Sequence, residues 1–399
     1  MLPPSLSHVE VCRSAIRHNI QVLRAASREG GHAPLLCVMV KGNGYGHGLL
    51  PAAAAFLDAG VDWLGTHELG EIEQLRAAHP AAAIYNVGYL SPPQAVRAAE
   101  LGARMVVYDA AVVEAVAAAA HATDQPARLH VKVETGNNRQ GLRHQEAVAL
   151  AVRIGRDPRL VLEGLTTHFA DVEDTTDHGF ARQQLARFEE CAASVRQALA
   201  LPPAGHPQDR LLTHSSNSAA LLLWPEVSGQ LVRFGIAAYG LWPSKETLLS
   251  VRMLGKMPVE LRPALSWKTS IAQVRTVPAG EYVGYGRTFR AVRDTRVAVL
   301  PIGYYDGFDR SLSNLAQVLV AGQRARVIGR VAMNMVTIDV TDAGAVEPGD
   351  EVVLIGTQPC RSGDADDRIS ADEMAGWAST IHYETVTRIA EHVPRVTVA

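Results

Sequence analysis

Short apolar runs recur along the first part of the chain with helix-length intervals between them. The runs lie at 35–40, 63–66, 83–87, 105–108, 129–133, 162–166, 211–213 and 231–234, and each reads as a strand. The intervals carry Ala/Leu-rich segments at 49–59, 69–78, 95–101, 111–121 and 145–154, with the longest near 179–200, all compatible with crossover helices. Strand and helix alternating in this way imply a parallel sheet. Eight such repeats in about 240 residues match the size of a (β/α)8 barrel, so the expected fold class is α/β with an N-terminal TIM-type barrel.

The pattern changes near Leu241-Trp242-Pro243-Ser244. Beyond it, alternating or β-branched runs dominate at 270–277, 296–302, 317–320, 325–328, 336–340 and 351–355, punctuated by Gly-Gln and Pro-Gly-Asp turns. We therefore expect a barrel over 1–244 and a mostly β C-terminal domain over 245–399. Ser370-Ala371-Asp372-Glu373 reads as a capping box that starts one late helix at Ala371. A strand-like stretch at 9–12 precedes the barrel runs, and residues 1–12 could pair with the C-terminal domain.

Composition narrows the partners. The 399 residues exceed a single domain of about 100–200 residues, and 47% hydrophobic side chains supply a sizeable core. With 38 basic against 41 acidic side chains and a net charge of −3, the chain has no electrostatic footprint for nucleic acid or an anionic membrane. Small molecules or protein partners fit better. Cys12, Cys37, Cys191 and Cys360 are far apart and form no CxxC pair, which argues against a structural zinc site or a disulfide framework and fits a reducing compartment. The start, Met1-Leu2-Pro3-Pro4-Ser5-Leu6-Ser7-His8, lacks the basic residues and long apolar core of a signal peptide. No uncharged apolar run approaches the roughly 18 residues of a membrane span. The expectation is a soluble, cytoplasmic protein without a bound metal.

The chemistry begins at Val38-Met39-Val40-Lys41-Gly42-Asn43-Gly44-Tyr45-Gly46-His47-Gly48. A lysine in an ordinary exposed turn is a solvated charge. Here an apolar strand delivers it into a turn with four glycines in seven residues, which lets backbone approach a ligand closely. A primary amine in that setting is a nucleophile suited to capturing an aldehyde such as pyridoxal phosphate.

Ligand sites of such barrels lie at the C-terminal ends of the strands. Lys41 follows the first strand, Lys132 and Arg139 the fifth, His168 the sixth, Asn217-Ser218 the seventh, and Arg233-Phe234-Gly235-Ile236 closes the eighth. Ser218 and the Gly235-Ile236 backbone could hold a phosphate, with Tyr45 adding a phenol. Asn217-Ser218 also reads as a plain helix cap. Neither a dinucleotide fingerprint nor a P-loop occurs in the glycine stretches, which disfavours a nucleotide. In the second domain, Tyr282-Val283-Gly284-Tyr285-Gly286-Arg287-Thr288-Phe289, Gly303-Tyr304-Tyr305-Asp306-Gly307 and Gly329-Arg330-Val331-Ala332-Met333-Asn334-Met335 place tyrosines and a methionine at glycine-flanked turns. Tyr304 and Tyr305 could be packed aromatics. Lys41 and a phenol such as Tyr285 could supply two acid/base groups.

These motifs, in this order, resemble the alanine racemase family over nearly the whole chain. The resemblance implies a homodimeric, pyridoxal-phosphate-dependent isomerase with active sites shared between subunits. In that likeness Lys41 holds the cofactor and acts as one base, and Tyr285 is the second base, supplied by the partner subunit. Arg233 looks like the arginine facing the pyridine nitrogen, where a permanent cation keeps that nitrogen unprotonated and weakens the electron sink. His168 resembles the histidine linking that arginine to the catalytic tyrosine. Arg139 resembles the arginine at the cofactor phenolate and the substrate carboxylate, with Lys132 where many relatives carry a carbamylated lysine that orients it; in this chain a carbamate and an ordinary lysine are equal alternatives. Tyr383 resembles the late tyrosine at the phosphate, beside Tyr45, Ser218, Gly235 and Ile236. Met333 resembles the residue whose backbone N–H meets the substrate carboxylate.

Three positions depart from the family pattern. Glu134 replaces Asp, Asn137 replaces Met, and Asn334 replaces the Asp that follows the methionine. Asn334 removes a negative charge near the substrate, which leaves room for a larger or more polar side chain such as serine. The expected function is interconversion of L- and D-alanine, yielding a peptidoglycan precursor. The alternatives are a broader-specificity or serine-type racemase, a decarboxylase of the same fold type, and a non-catalytic pyridoxal-phosphate carrier. Tyr285 speaks against the decarboxylase, and the long second domain against the carrier.

Overall fold

The computed structural model describes residues 6–123, 126–360 and 367–399, so the reading of residues 1–5 above lies outside the described residues. In chain order the first elements are β1 (His8–Cys12), α1 (Arg13–Arg28), β2 (Leu35–Met39), α2 (Lys41–Tyr45), α3 (Leu49–Asp58), β3 (Trp63–Thr66), α4 (Leu69–Ala78), β4 (Ala83–Asn86), α5 (Pro92–Glu100) and β5 (Arg104–Val107). There follow α6 (Ala110–Thr123), β6 (Ala127–Lys132), α7 (His144–Gly155), β7 (Leu160–Thr166), α8 (Gly179–Ala198), β8 (Leu212–His214), α9 (Ser218–Leu223), β9 (Leu231–Phe234) and α10 (Lys245–Met253). The remainder is mostly strand: β10 (Leu265–Ser270), β11 (Gln273–Val277), β12 (Tyr282–Val283), β13 (Phe289–Arg290), β14 (Thr295–Leu300), β15 (Gln317–Val320), β16 (Gln323–Arg326), β17 (Val336–Asp339), β18 (Glu351–Gln358) and β19 (Asp367–Ile369). It closes with α11 (Ala371–Ala378), α12 (His382–Thr387) and β20 (Arg395–Val398).

Two compact units share these elements. One comprises Ala15–Lys41 and Ala53–Arg262, the other Met1–Ser14, Gly42–Ala52 and Pro263–Ala399. In the first, eight strands pair in parallel in the order β8-β7-β6-β5-β4-β3-β2-β9, the barrel the apolar runs imply. Helices cover a parallel sheet on its outer face while side chains fill the interior, so both faces must be apolar. Leu36, Val38, Leu64, Ile84, Leu129, Val131, Leu165, Val232 and Phe234 accordingly have no exposed surface.

One seam of the barrel is different. No ladder joins β8 to β9 among the described residues. Gln230 N donates to Thr213 O at 3.1 Å and Arg233 N to Ser216 O at 3.2 Å. The Gln230 side chain adds to this by accepting from Thr213 N at 2.8 Å. Gly229, at φ 65°, makes this close approach possible, because a Cβ there would overlap the Thr213 carbonyl.

The chain passes from the first unit to the second between Arg262 and Pro263. The reason is α10, which is tied to the barrel: Ser250 Oγ meets His178 Nε2 at 3.0 Å, and just beyond its end Lys256 Nζ donates to Leu223 O at 2.8 Å.

In the second unit the main sheet runs β16-β15-β18-β10-β1-β20, with β19 on β18, and a second sheet runs β11-β14-β17. β1 pairs antiparallel with β10 and parallel with β20. The single strand expected at 270–277 is two strands in different sheets. Ile271 N donates to Asp350 O while Ala272 N donates to Val299 O, so the chain changes sheet between two successive residues. The late helix starts where its capping box places it, with Ser370 Oγ accepting from Glu373 N at 3.0 Å.

Gly229→Ala tests the seam. Left-handed strain and overpacking together should cost about 2–4 kcal/mol, read as a fall in the denaturant midpoint without a change of slope.

Candidate active site

The segment after β2 is a run of left-handed backbone. Gly42, Asn43, Gly44, Tyr45, Gly46 and Gly48 all have φ between 51° and 90°. L-residues with a Cβ resist this region, and Asn is the least averse among them. Asn43 contributes more than tolerance, because its Oδ1 accepts from Leu49 N at 2.9 Å and so caps α3. At Gly46 a Cβ would overlap the Val386 carbonyl, and Arg395 Nε holds the Gly46 carbonyl at 3.0 Å. The turn is thus fixed by stereochemistry immediately after Lys41.

In the barrel unit the C-terminal strand ends gather cations. Lys132, Arg139, Thr167 and His168 line one small recess, together with Glu134 and Asn137. Burial, then the charge of Arg139, hold the Lys41 amine below the usual lysine range, with Glu71 opposing. Burial, then Arg233, Arg139 and Lys41, push Lys132 further down against the pull of Glu134. His168 lies well below the usual histidine range through burial and the charges of Lys132, Arg233, Arg139 and Lys41. Repulsion of this kind is relieved by an anion, so the arrangement suits a ligand bearing phosphate, phenolate or carboxylate.

Ser218 opens α9, and its Oγ accepts from Gly235 N at 3.2 Å, which leaves the hydroxyl proton to donate elsewhere. Asn217 is the helix cap, with its Oδ1 accepting from Ala220 N at 2.9 Å. Ile236 follows, fully buried, in a single 3-10 turn.

Arg233 is 7% exposed. Its Nη1 donates to His214 Nδ1 at 2.5 Å and His214 O at 2.9 Å. Its Nη2 donates to Thr167 O at 2.8 Å and Ser215 O at 3.3 Å. Its imidazole partner is His214, while the charge of Arg233 also acts on the His168 ring. From there His214 Nε2 reaches His130 Nδ1 at 2.8 Å, and His130 Nε2 reaches Glu163 Oε2 at 3.0 Å. The ends of this chain decide its polarity. Arginine has only donors and an ionised carboxylate only acceptors, so each imidazole is neutral and carries its proton on Nε2.

The titration of these groups agrees. Burial holds both histidines below their usual range, and the charge of Arg233 adds to this, strongly for His214. Burial works to raise the Glu163 carboxyl, but the hydrogen bond from His130 and the charges of Arg104 and Arg128 overcome it, leaving it lowered. Arg104 and Arg128 sit 2.9 and 3.1 Å from its oxygens.

The second unit carries Tyr45, Tyr285, Met333 and Tyr383. The rings of Tyr45 and Tyr383 lie 6.3 Å apart, which brings together two expected cofactor contacts. Tyr285 and Met333 belong to turns that interlock at glycines. A Cβ at Gly303 would overlap the carbonyls of Ala332 and Met333, and one at Gly286 would lie 3.2 Å from the Arg330 guanidinium carbon. Tyr304 N and Tyr305 N donate to Ala332 O and Met333 O at 3.1 and 3.0 Å. These turns expose apolar side chains, with Tyr285 75%, Tyr305 61%, Met335 60% and Met333 55% exposed.

Sequence reasoning missed His214, His130 and Glu163. A histidine in each of two apolar strands, with a glutamate in a third, was the available signal, since isolated polar residues in barrel strands face one another across the interior.

The chain matches two family models, "Alanine racemase, N-terminal domain" over residues 11–243 and "Alanine racemase, C-terminal domain" over residues 264–397. It is 39% identical to the alanine racemase of Symbiobacterium thermophilum over 97% of this chain and 95% of that one. It is 32% identical to the alanine racemase of Leptospira interrogans over 98% and 96%. The crystal structure of an alanine racemase from D-cycloserine-producing Streptomyces lavendulae aligns with a TM-score of 0.86 at 34% identity, covering 100% of this chain and 98% of that one. The alanine racemase from Bacillus anthracis with bound L-Ala-P aligns at 0.85 and 32%, covering 100% and 96%.

Glu163→Gln should lower stability by about 3 kcal/mol, the range for breaking a buried ion pair, because Arg104 and Arg128 lose their counter-charge. His130, His168 and His214 are held neutral in the fold but titrate near 6.5 when unfolded, so acid protonates the unfolded chain preferentially. Stability should therefore fall as pH drops from about 7 to 5, measurable as a decline in Tm.

Proposed function

The chain belongs to the alanine racemase family, and from that premise we propose that it binds pyridoxal 5'-phosphate and interconverts L- and D-alanine with Lys41 and Tyr285 as its two bases. The observation that carries this reading is the cation cluster around Lys41, in which burial and neighbouring charge depress Lys41, Lys132 and His168 together. A phosphorylated, phenolic aldehyde answers that surplus with two anionic groups and offers Lys41 a carbon to bond. When bound, the cofactor withdraws electrons from the substrate's Cα and so acidifies its proton.

The chain's own residues do the rest. A lysine with a lowered pKa is more readily neutral, as a nucleophile and proton acceptor must be. Ser218, with Gly235 and Ile236 at the opening of a 3-10 turn, is suited to a phosphate. In the other unit the phenols of Tyr45 and Tyr383 are each suited to donate to a phosphate. Arg233 already makes four hydrogen bonds that fix its plane, so its charge is presented to a ring nitrogen without reorganisation. Arg139 is suited to the substrate carboxylate, assisted by the Met333 backbone N–H. His168 lies among these cations and is suited to orient the second base.

Tyr285 supports a homodimer. A base that is three-quarters exposed on its own chain is placed to serve a neighbouring copy, together with the exposed Met333 beside it. Asn334, next to Met333, favours a second reading in which serine and other small polar amino acids are accepted. The reduced cysteines Cys12, Cys37 and Cys191 support a cytoplasmic setting, where D-alanine would feed peptidoglycan synthesis. No helix among the described residues is long and apolar enough to cross a membrane.

The most direct test is a chiral assay of the purified enzyme against a panel of L-amino acids, expected to yield D-alanine fastest. Lys41→Ala should lose the visible absorbance of the bound cofactor. Tyr285→Phe should retain it while interconversion slows by about 100-fold or more in at least one direction. Unchanged rates in both directions would remove the two-base proposal. Light scattering should give twice the chain mass, and a fully active monomer would refute the shared site.

A further inference from the structure

Helix α8 buries Ala181, Gln184, Phe188, Cys191, Ala192, Val195 and Arg196 against the barrel. Gln184 is the one amide in this stripe, and it has no exposed surface. Burying an amide is unfavourable unless its donors and acceptor are matched. Here they are matched by two loops. Gln184 Oε1 accepts from Ala170 N at 2.9 Å. Its Nε2 donates to Thr135 Oγ1 at 3.2 Å and to His168 O at 3.3 Å.

These partners are not arbitrary. Thr135 begins the loop after β6 that leads to Arg139, and His168 and Ala170 form the loop after β7. Thr135 Oγ1 then meets Thr167 Oγ1 at 2.8 Å, and Thr167 Oγ1 donates to Val133 O at 3.0 Å. Thr167 O is also the acceptor for Arg233 Nη2 at 2.8 Å. One side chain on an outer helix therefore braces the backbone that carries Arg139, His168 and the acceptor of Arg233. Gly136 tightens the arrangement, since a Cβ there would press on the Phe180 ring at 2.7 Å and on Gln184 Cγ at 3.4 Å.

We propose that Gln184, acting through Thr135 and the His168–Ala170 backbone, is a positioning residue that sets the placement of Arg139 and His168 for the substrate carboxylate and the second base. It touches neither substrate nor cofactor. The inference rests on the roles proposed above for Arg139 and His168. Misplacement of such groups by about 1 Å is worth up to about 100-fold in rate, so losing the brace should register in turnover and in carboxylate binding.

The test compares Gln184→Met, which keeps length and helix preference but makes none of the three bonds, with Gln184→Glu, which keeps the acceptor for Ala170 N. Thr135→Val cuts the same brace from the loop side and serves if Gln184→Met fails to fold. Phe188→Leu is the packing control, one turn further along the stripe. Holoenzymes are measured for KM and kcat with L- and D-alanine, for the Kd of propionate, which is alanine without its amine, for cofactor content and for Tm.

Gln184→Met and Thr135→Val should each raise KM and the propionate Kd about 10-fold with cofactor content unchanged, and Gln184→Glu should recover part of the loss. Phe188→Leu should lower Tm while leaving KM and the propionate Kd as in wild type. Wild-type values of KM and Kd in Gln184→Met, or equal shifts in Phe188→Leu, would overturn the positioning role while leaving the proposed function intact. A wild-type enzyme inert towards alanine and propionate would overturn both.

Discussion

The guanidinium of Arg233 spans β8 and β9, neighbouring barrel strands that no ladder joins among the described residues. From β9 it bonds to the carbonyls of Thr167, His214 and Ser215, at the ends of β7 and β8. Those carbonyls lie at the barrel mouth, where a parallel sheet runs out of strand partners and backbone oxygens would otherwise need water. A buried cation is costly, and this one is matched by hydrogen bonds at almost every donor. The same side chain thus closes the fold and supplies the candidate site with its fixed charge. A neutral replacement would open the seam as well as alter the chemistry.

Around that charge the site is organised by repulsion. Beyond burial, Arg139 holds Lys41 down, Arg233, Arg139 and Lys41 hold Lys132 down, and all four cations hold His168 down; in the sequence these residues come from different strand ends. Only a barrel that delivers every strand's C-terminal end to one face can concentrate them. The stability forgone in this cluster is recoverable by an anionic ligand, so binding of such a ligand and folding are coupled. The second unit follows a different logic. Its turns interlock at Gly284, Gly286, Gly303 and Gly329, and the residue type at each is set by how closely neighbouring backbone and side chains approach.

Much of this was legible in the chain. The eight strands were visible because a strand buried on both sides must be apolar throughout, and Lys41 stood out because the backbone beyond it turns left-handed and selects glycine. Ser370 marked the start of α11 because a cap needs a hydroxyl at one position. Other features left no such trace. No glycine, proline or other turn residue marks the switch of sheet between Ile271 and Ala272, so 270–277 reads as continuous. The hydrogen bonds that tie α10 and its following loop back to the barrel are not reported by spacing. His214 and His130 are single residues within apolar strands, and their pairing depends on which strands adjoin across the interior. Gln184 was readable in principle as a lone amide on an apolar helix face, but its partners lie in two loops distant in sequence.

The neutral histidine pair has an electrical consequence. Both imidazoles point their bare nitrogen toward Arg233 and their N–H toward Glu163, so the two ring dipoles add head to tail and each turns its negative end to the guanidinium. Glu163, flanked by Arg104 and Arg128 on the far side, polarises the pair in the same sense. The buried cation is thereby offset from below, at long range. A carboxylate in direct contact with Arg233 would do so more cheaply, but its field would extend into the mouth and repel any anion arriving there. Relaying the compensation through two uncharged rings keeps the mouth positive while making the interior tolerable to a charge it must hold permanently.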